Sequence, residues 1–142
     1  MIKIFSLIKL SIILLFLVSN AFAEKSSYFI EAKNLYDKKN FEKSKFLFEK
    51  DIVFNPKNEK SYLYLAKIFN KEDKGKEEEM NLHNVLLLNP QNDEALYMLI
   101  LIKIKQSDYE VVEELIEKFN LVCKSFCSKE DEIKKKFKKL TP

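Results

Sequence analysis

The two cysteines are the residues of this sequence best suited to chemistry of their own. Cys123 and Cys127 are the only cysteines in the chain, and three residues separate them. If the chain is exported, an even number of cysteines favours a disulfide. We expect a break between helices near residues 122–128, which would give the bridge the freedom that its geometry needs. The alternative is a redox-active pair, although redox motifs usually place two residues between their cysteines.

Residues for catalysis or metal binding are scarce in this sequence. His83 is the single histidine, so a site with several Cys and His ligands is not expected. A Ser–His or Cys–His nucleophilic pair would also have to use it, and we interpret it as a partly exposed surface residue. The carboxylates occur in runs such as Glu77–Glu79, which usually form solvated helix faces. We therefore expect no enzyme, no cofactor and no metal site.

Residues 1–23 have the three parts of a signal peptide. Lys3 and Lys9 give a basic start, residues 10–18 are apolar, and Ala21-Phe22-Ala23 has small residues where signal peptidase reads them. A membrane-spanning helix needs about 20 apolar residues, so this run is short for a permanent anchor. We expect cleavage before Glu24, export to the periplasm or the medium, and no permanent membrane span. An uncleaved anchor is the alternative.

The charge of the chain argues against nucleic acid as a partner. All 25 cationic residues are lysines, so the two-pronged arginine contact to guanine or phosphate does not occur. Loss of Lys3 and Lys9 with residues 1–23 lowers the formal charge from +3 to +1, which is not the strong basic excess of a nucleic-acid binder. The single glycine, Gly75, excludes a glycine-rich phosphate loop.

The chain has a helical pattern that repeats along its length. An Asn-Pro pair at Asn55-Pro56 recurs 34 residues later at Asn89-Pro90, and proline disfavours a helical conformation in the residue before it. Between the two pairs, apolar residues at helix spacing lie on either side of a polar turn that holds Gly75. The spacing predicts three pairs of helices, at about 25–58, 59–92 and 93–124.

The pattern resembles the tetratricopeptide repeat (TPR) family over about residues 25–124. Its large, small and large motif positions are filled by Tyr28, Ala32 and Phe48 in the first copy and by Tyr62, Ala66 and Leu82 in the second. The third copy departs from the motif, with Ile100 at the small position and Lys124 in place of the proline. The resemblance implies an all-α fold for residues 24–142, an α-solenoid of three helix hairpins.

Residues 128–140 predict a C-terminal capping helix. Ser128 is a suitable N-cap, and the acidic residues 130–132 and the lysines that follow suit the two ends of the helix dipole. Ile133, Phe137 and Leu140 form a narrow apolar stripe, as expected of a helix that covers the last repeat. A basic tail that faces a membrane is the alternative.

The resemblance further implies a concave groove formed by the first helix of each hairpin. The expected lining residues are Phe29, Lys33, Tyr36, Leu63, Lys67, Asn70, Lys71, Tyr97, Leu101 and Lys105. Large apolar residues beside lysines suit an amphipathic helix or an extended peptide that carries acidic residues. The helix at 93–105 is apolar nearly all round, either because it packs against the capping helix or because it contributes to the groove.

We therefore expect an exported scaffold or adaptor that binds another protein or peptide and takes part in cell-envelope assembly. Two other functions remain open. The chain could be a self-associating structural subunit of an envelope complex, and therefore a homo-oligomer. It could also be an accessory factor in periplasmic redox chemistry or cytochrome maturation, which would require reactive cysteines.

Overall fold

The computed structural model describes residues 27–139, and all regular structure within that range is helical. The helices are α1 (Ser27–Asp37), α2 (Phe41–Phe54), α3 (Glu59–Lys71), α4 (Gly75–Leu88), α5 (Asp93–Lys105), α6 (Tyr109–Val122), a 3₁₀ turn (Cys127–Lys129) and α7 (Glu130–Lys138). The all-α prediction is confirmed. The expected signal peptide lies outside the described residues. Among the helices of residues 27–139, none is long and apolar enough to cross a membrane.

The chain divides into two compact units at Asn55 and Pro56. In the first unit, α1 and α2 pack against each other through buried Ala32 and Phe48. The Ser44 hydroxyl donates a hydrogen bond of 2.8 Å to the Ala32 carbonyl oxygen, which closes the hairpin where both residues are small and buried. A small side chain on each helix allows the two backbones to approach closely enough for this bond.

Three turns within helix pairs share one conformation. Lys39, Asp73 and Ser107 have φ values of 61°, 56° and 58°, and their numbers differ by 34. Lys39 N–H donates to the Tyr36 carbonyl and Asn40 N–H to the Leu35 carbonyl, the bond pair of a Schellman motif, and the equivalent bonds occur at the other two turns. Gly75, which the sequence placed in the turn, is instead the first residue of α4.

Two core clusters in the second unit lie on different sides of α5. Ala95, Leu99 and Ile102 pack with residues of α3 and α4, among them Ala66 and Leu82. Leu96, Ile100 and Ile104 pack with residues of α6 and with Ile133 of α7. A helix between two clusters needs apolar residues on several faces, which explains the composition of α5.

The start of α7 differs from the prediction. Ser128 does not cap the helix, since it lies inside the 3₁₀ turn Cys127–Lys129, and α7 begins at Glu130 without a side-chain cap. Acidic residues still fill the first turn of α7 and lysines the last, which suits the helix dipole.

Candidate functional site

A cavity of about 490 Å³ opens in the second unit between α3, α4, α5 and α7. Its lining consists of Asn70, Glu78, Tyr97, Met98, Leu101, Ile102, Ile104, Lys105 and Lys136. Six of these residues come from α5, where positions 97, 101 and 105 and positions 98 and 102 are four apart and therefore share a helix face. Four of the residues predicted for the groove lie together here: Asn70, Tyr97, Leu101 and Lys105.

A buried carboxylate forms part of the cavity lining. Glu78 is 4% exposed, and Asn70 donates a hydrogen bond of 2.9 Å from Nδ2 to its Oε1. Burial raises the pKa of Glu78, while the Asn70 hydrogen bond and the charge of Lys105 act in the opposite direction. Glu78 was not among the residues predicted for the site. Its position in the repeat could have identified it, because the equivalent positions of the other two copies hold Ser44 and Val112, which are both buried.

The rim of the cavity joins α5 to α7 through Tyr97 and Glu132. The Tyr97 hydroxyl donates to Glu132 Oε1 at 3.0 Å, and Lys136 and Lys129 lie 2.9 Å and 3.1 Å from the same carboxylate. Hydrogen bonds from Lys136, Lys129 and Tyr97 lower the pKa of Glu132 to about 2. Burial and the Glu132 carboxylate raise the pKa of Tyr97 to about 12. Between these two pKa values Glu132 is ionised and Tyr97 is protonated, which are the states that their hydrogen bond requires.

Other predicted groove residues of the second unit lie outside the cavity lining. Leu63 is 8% exposed and packs in the core cluster of Ala66 and Leu82, so little of its side chain is accessible. Lys67 forms an ion pair of 2.8 Å with Glu94. Lys71 is exposed at the last position of α3.

The remaining three predicted residues belong to the first unit. The rings of Phe29 and Phe48 lie 5.8 Å apart, and those of Tyr36 and Phe41 lie 5.3 Å apart in an edge arrangement. Lys33 pairs with Asp37 at 2.7 Å. The first unit has a concavity of about 410 Å³ whose lining does not include these three residues. That lining is Glu31, Leu35, Glu42, Lys43, Phe46 and Leu47.

The two cysteines lie near the start of α5, the helix that contributes most of the cavity lining. Cys123 and Cys127 form a disulfide with their Cα atoms 5.2 Å apart. The backbone N–H groups of the three residues between them, Lys124, Ser125 and Phe126, all donate to Oδ2 of Asp93 at 2.7, 2.6 and 2.9 Å. Burial would raise the pKa of Asp93, but these donations outweigh it and lower the pKa.

The exposed His83 lies 3.6 Å from Glu79, whose pKa is lowered chiefly by a hydrogen bond from Lys103. Across residues 27–139, no three His, Cys, Asp or Glu side chains are placed to hold a metal ion. His83 therefore acts here as a surface residue beside an ion pair.

The solved structures that resemble this chain include the TPR2B domain of yeast Sti1 in its pHsp70 complex. The TM-score is 0.73 at 14% identity, covering 82% of this chain and 98% of that one. The fold is that of tetratricopeptide repeat domains. The first TPR of Spaghetti (RPAP3), bound to HSP90 peptide SRMEEVD, gives a TM-score of 0.72 at 12% identity, covering 82% and 93% of the two chains. The translocator chaperone SycD of type III secretion in Yersinia enterocolitica gives 0.69 at 9% identity, covering 80% of each.

The predicted TPR-type helix hairpins are thus confirmed. No family model matches the sequence, and no curated protein does. The TPR motif positions behave as packing positions: Ala32 and Ala66 are fully buried, and so is Ile100 at the third copy's small position. Most of the candidate site is built from α5 residues between the motif positions, together with Glu78, which occupies a motif position, and the core residues Ile102 and Ile104.

Proposed function

We propose that this chain is an exported scaffold or adaptor that binds an apolar, acidic segment of another protein in the cavity of the second unit. The observation that carries the proposal is the lining of that cavity, where the α5 side chains Met98 and Leu101 lie beside Lys105 and Lys136. The TPR domains of Sti1 and Spaghetti, which share the fold, are described in complexes with pHsp70 and with an HSP90 peptide. That use of the fold supports a protein-binding role.

The charge and the apolar wall of the cavity favour an apolar, acidic segment, and its volume is large enough for a ligand. Its volume of about 490 Å³ is within the range of ligand sites, roughly 300–1,000 Å³. Two lysines and one carboxylate, Glu78, line it, and Glu78 already accepts a hydrogen bond from Asn70. The positive excess therefore favours acidic groups, while the apolar wall favours leucine-like side chains.

The test uses the mature chain, residues 24–142, and two fluorescein-labelled synthetic peptides. One peptide combines leucine with glutamate, and the other replaces each glutamate by lysine. We expect the acidic peptide to bind at least about tenfold more tightly, since like charges across an interface are costly. Lys105→Glu should weaken binding of the acidic peptide, whereas Lys118→Glu, the same charge change on exposed α6, should not. Equal anisotropy titrations for both peptides would refute the proposed site.

Export is the second part of the proposal, and it rests on the pattern of residues 1–23. A disulfide between Cys123 and Cys127 supports it, because disulfides persist in oxidising compartments. A role in envelope assembly would follow from that location. N-terminal sequencing of the protein recovered from cell fractions tests the point: we expect Glu24 as the first residue. Recovery of the chain with Met1 in the membrane fraction would instead support the uncleaved anchor.

Self-association is a second candidate, and it is favoured by exposed apolar residues on the second helix of each hairpin. Val53, Leu87 and Leu121 are 75%, 81% and 87% exposed, and their numbers differ by 34. Leu87 and Leu121 both belong to the second unit, and exposed apolar side chains that form a contiguous patch mark an interaction site. Sedimentation velocity separates the candidates, because the adaptor is expected to be a monomer. If a dimer forms, Leu87→Lys with Leu121→Lys should dissociate it.

A further inference from the structure

The disulfide closes a loop whose whole backbone is fastened to one carboxylate. Between Cys123 and Cys127, three successive N–H groups donate to the same oxygen of Asp93. Three successive amides can reach one atom only while the loop stays curled, and the bridge between its two ends restricts the loop to such curled shapes. Asp93 is the first residue of α5, so the loop is fixed to the helix that forms most of the cavity wall.

A continuous series of contacts leads from this loop to the cavity. The ring of Phe126, inside the loop, lies 5.7 Å from the ring of Tyr97. The 3₁₀ turn that follows Phe126 carries Lys129, whose Nζ lies 5.7 Å from the centre of the Tyr97 ring. Glu132 then accepts from the Tyr97 hydroxyl and pairs with Lys136. Tyr97 and Lys136 both line the cavity.

The loop is also the chain's direct connection to α7. From Cys127 the backbone enters the 3₁₀ turn and then α7 without an intervening segment. The apolar attachment of α7 to the second core cluster is small, with Ile133 buried and Phe137 packed at its edge. A helix of nine residues with so few buried side chains is marginally stable by itself, so the position of α7 depends on the contacts that hold its first turn.

We propose that the Cys123–Cys127 disulfide is a redox switch for the cavity, which holds α7 in place when oxidised and releases it when reduced by a dithiol. In the reduction, the dithiol supplies two electrons and two protons. Its own sulfurs become a disulfide, while Cys123 and Cys127 become two thiols. Release of the loop withdraws Phe126 from Tyr97 and moves Lys136 away from the rim. The effect on ligand binding rests on the proposed function, but the release of α7 does not.

The test compares hydrogen exchange of the mature chain before and after treatment with dithiothreitol, read by mass spectrometry. We expect residues 123–138 to exchange at least about tenfold faster after reduction, because the loop loses its covalent restraint. Peptides from α3 and α4 should not change. The Cys123→Ser, Cys127→Ser double variant should match the reduced protein and show no further change with dithiothreitol, which separates the bridge from any other action of the reagent.

The binding readout uses the fluorescein-labelled leucine–glutamate peptide on the same samples. We expect its affinity to fall several-fold on reduction and in the double variant. Unchanged exchange in residues 123–138, a uniform increase across the second unit, or a bridge that dithiothreitol does not reduce would each overturn the switch. Equal peptide affinity in the oxidised and reduced forms would also overturn it, leaving the proposed function intact. If the oxidised chain binds no peptide, the proposed function fails, and the exchange result alone decides whether the bridge controls α7.

Discussion

Tyr97 is the residue on which the cavity, the loop and α7 meet. It lines the cavity, its ring contacts Phe126, and its hydroxyl donates to Glu132. Burial of the phenol, and the Glu132 carboxylate that accepts its hydrogen bond, raise the pKa of Tyr97 to about 12 from its usual 10.0. A raised pKa of this kind contributes stability that is present below pH 10 and is lost as pH rises through the value in the folded protein.

An ultraviolet titration of the six tyrosines tests this contact. We expect a late step near pH 12 that is absent from Tyr97→Phe, because that variant lacks the group. In Glu132→Gln the step should move towards pH 10, since the neighbouring charge is gone. Circular dichroism at each pH establishes that the helices persist. A titration of Tyr97→Phe that still contains the late step would assign it to another tyrosine.

Glu78 offers a second residue-scale prediction, on stability. Its pKa is raised chiefly by burial, so the folded state binds the proton more tightly than the unfolded chain does. Its contribution to the free energy of unfolding is therefore most favourable below pH 4.5 and declines as pH rises through the value in the folded protein. We expect Glu78→Gln to stabilise the chain at neutral pH by about 1 kcal/mol, the size of a typical single-residue effect.

Urea unfolding across a pH series measures this change, and Glu77→Gln is the matched control because that side chain is exposed. Glu78→Gln should reduce the decline in stability above pH 4.5, while Glu77→Gln should leave it. Destabilisation by Glu78→Gln at neutral pH would show that the charge itself is required, for example by Lys105.

At the scale of elements, the shared turns explain how each helix pair reverses direction without a glycine. Lys39, Asp73 and Ser107 occupy the left-handed region, which costs a residue with a side chain roughly 1–2 kcal/mol. The polar turn of the second pair was expected to hold Gly75, whereas the left-handed residue there is Asp73. The common spacing of the three residues was the signal for their shared conformation, since lysine and serine have no local preference for it.

Glycine at these turns should therefore stabilise the hairpins. We expect Lys39→Gly to raise the free energy of unfolding by about 0.5 kcal/mol, the strain relieved less the entropy that glycine adds to the unfolded chain. Asp73→Gly should give less, because aspartate tolerates the left-handed region. Thermal denaturation measures both. Glu49→Gly, on the exposed face of α2, is the control and should destabilise by about 1 kcal/mol; a loss of stability in Lys39→Gly would contradict the strain argument.

At the scale of the whole molecule, the repeat spacing predicted the hairpins because packing within a pair is local in sequence. The resemblance to TPR domains further implied a groove whose expected lining included Asn70, Tyr97, Leu101 and Lys105, all on the first helices of the pairs. Lys136 could not be found in this way, since it reaches the cavity only through the docking of α7 on α5. Glu78 was missed for a related reason: a charged residue at a packing position shows its role only when its hydrogen-bond partner, Asn70, is known.

The division at Pro56 leads to a prediction about folding. The second unit contains both core clusters of α3–α7 and the disulfide, so we expect residues 56–142 to fold when produced alone. The fragment should be helical by circular dichroism and unfold in a single cooperative transition in urea. Residues 24–55 serve as the comparison, since one helix pair buries too little apolar surface to be stable alone. A fragment 56–142 that lacks helicity would show that the second unit requires the first.

The small number of cysteines has a consequence for biogenesis. With two thiols in the chain, only one intramolecular pairing exists, and it joins residues four positions apart. Oxidation therefore needs no reshuffling by a disulfide isomerase, and the bridge can form as soon as this short segment is exposed to an oxidant. Incorrect bridges within the protein can form only between molecules, so the yield of correctly oxidised protein should depend on its concentration during oxidation.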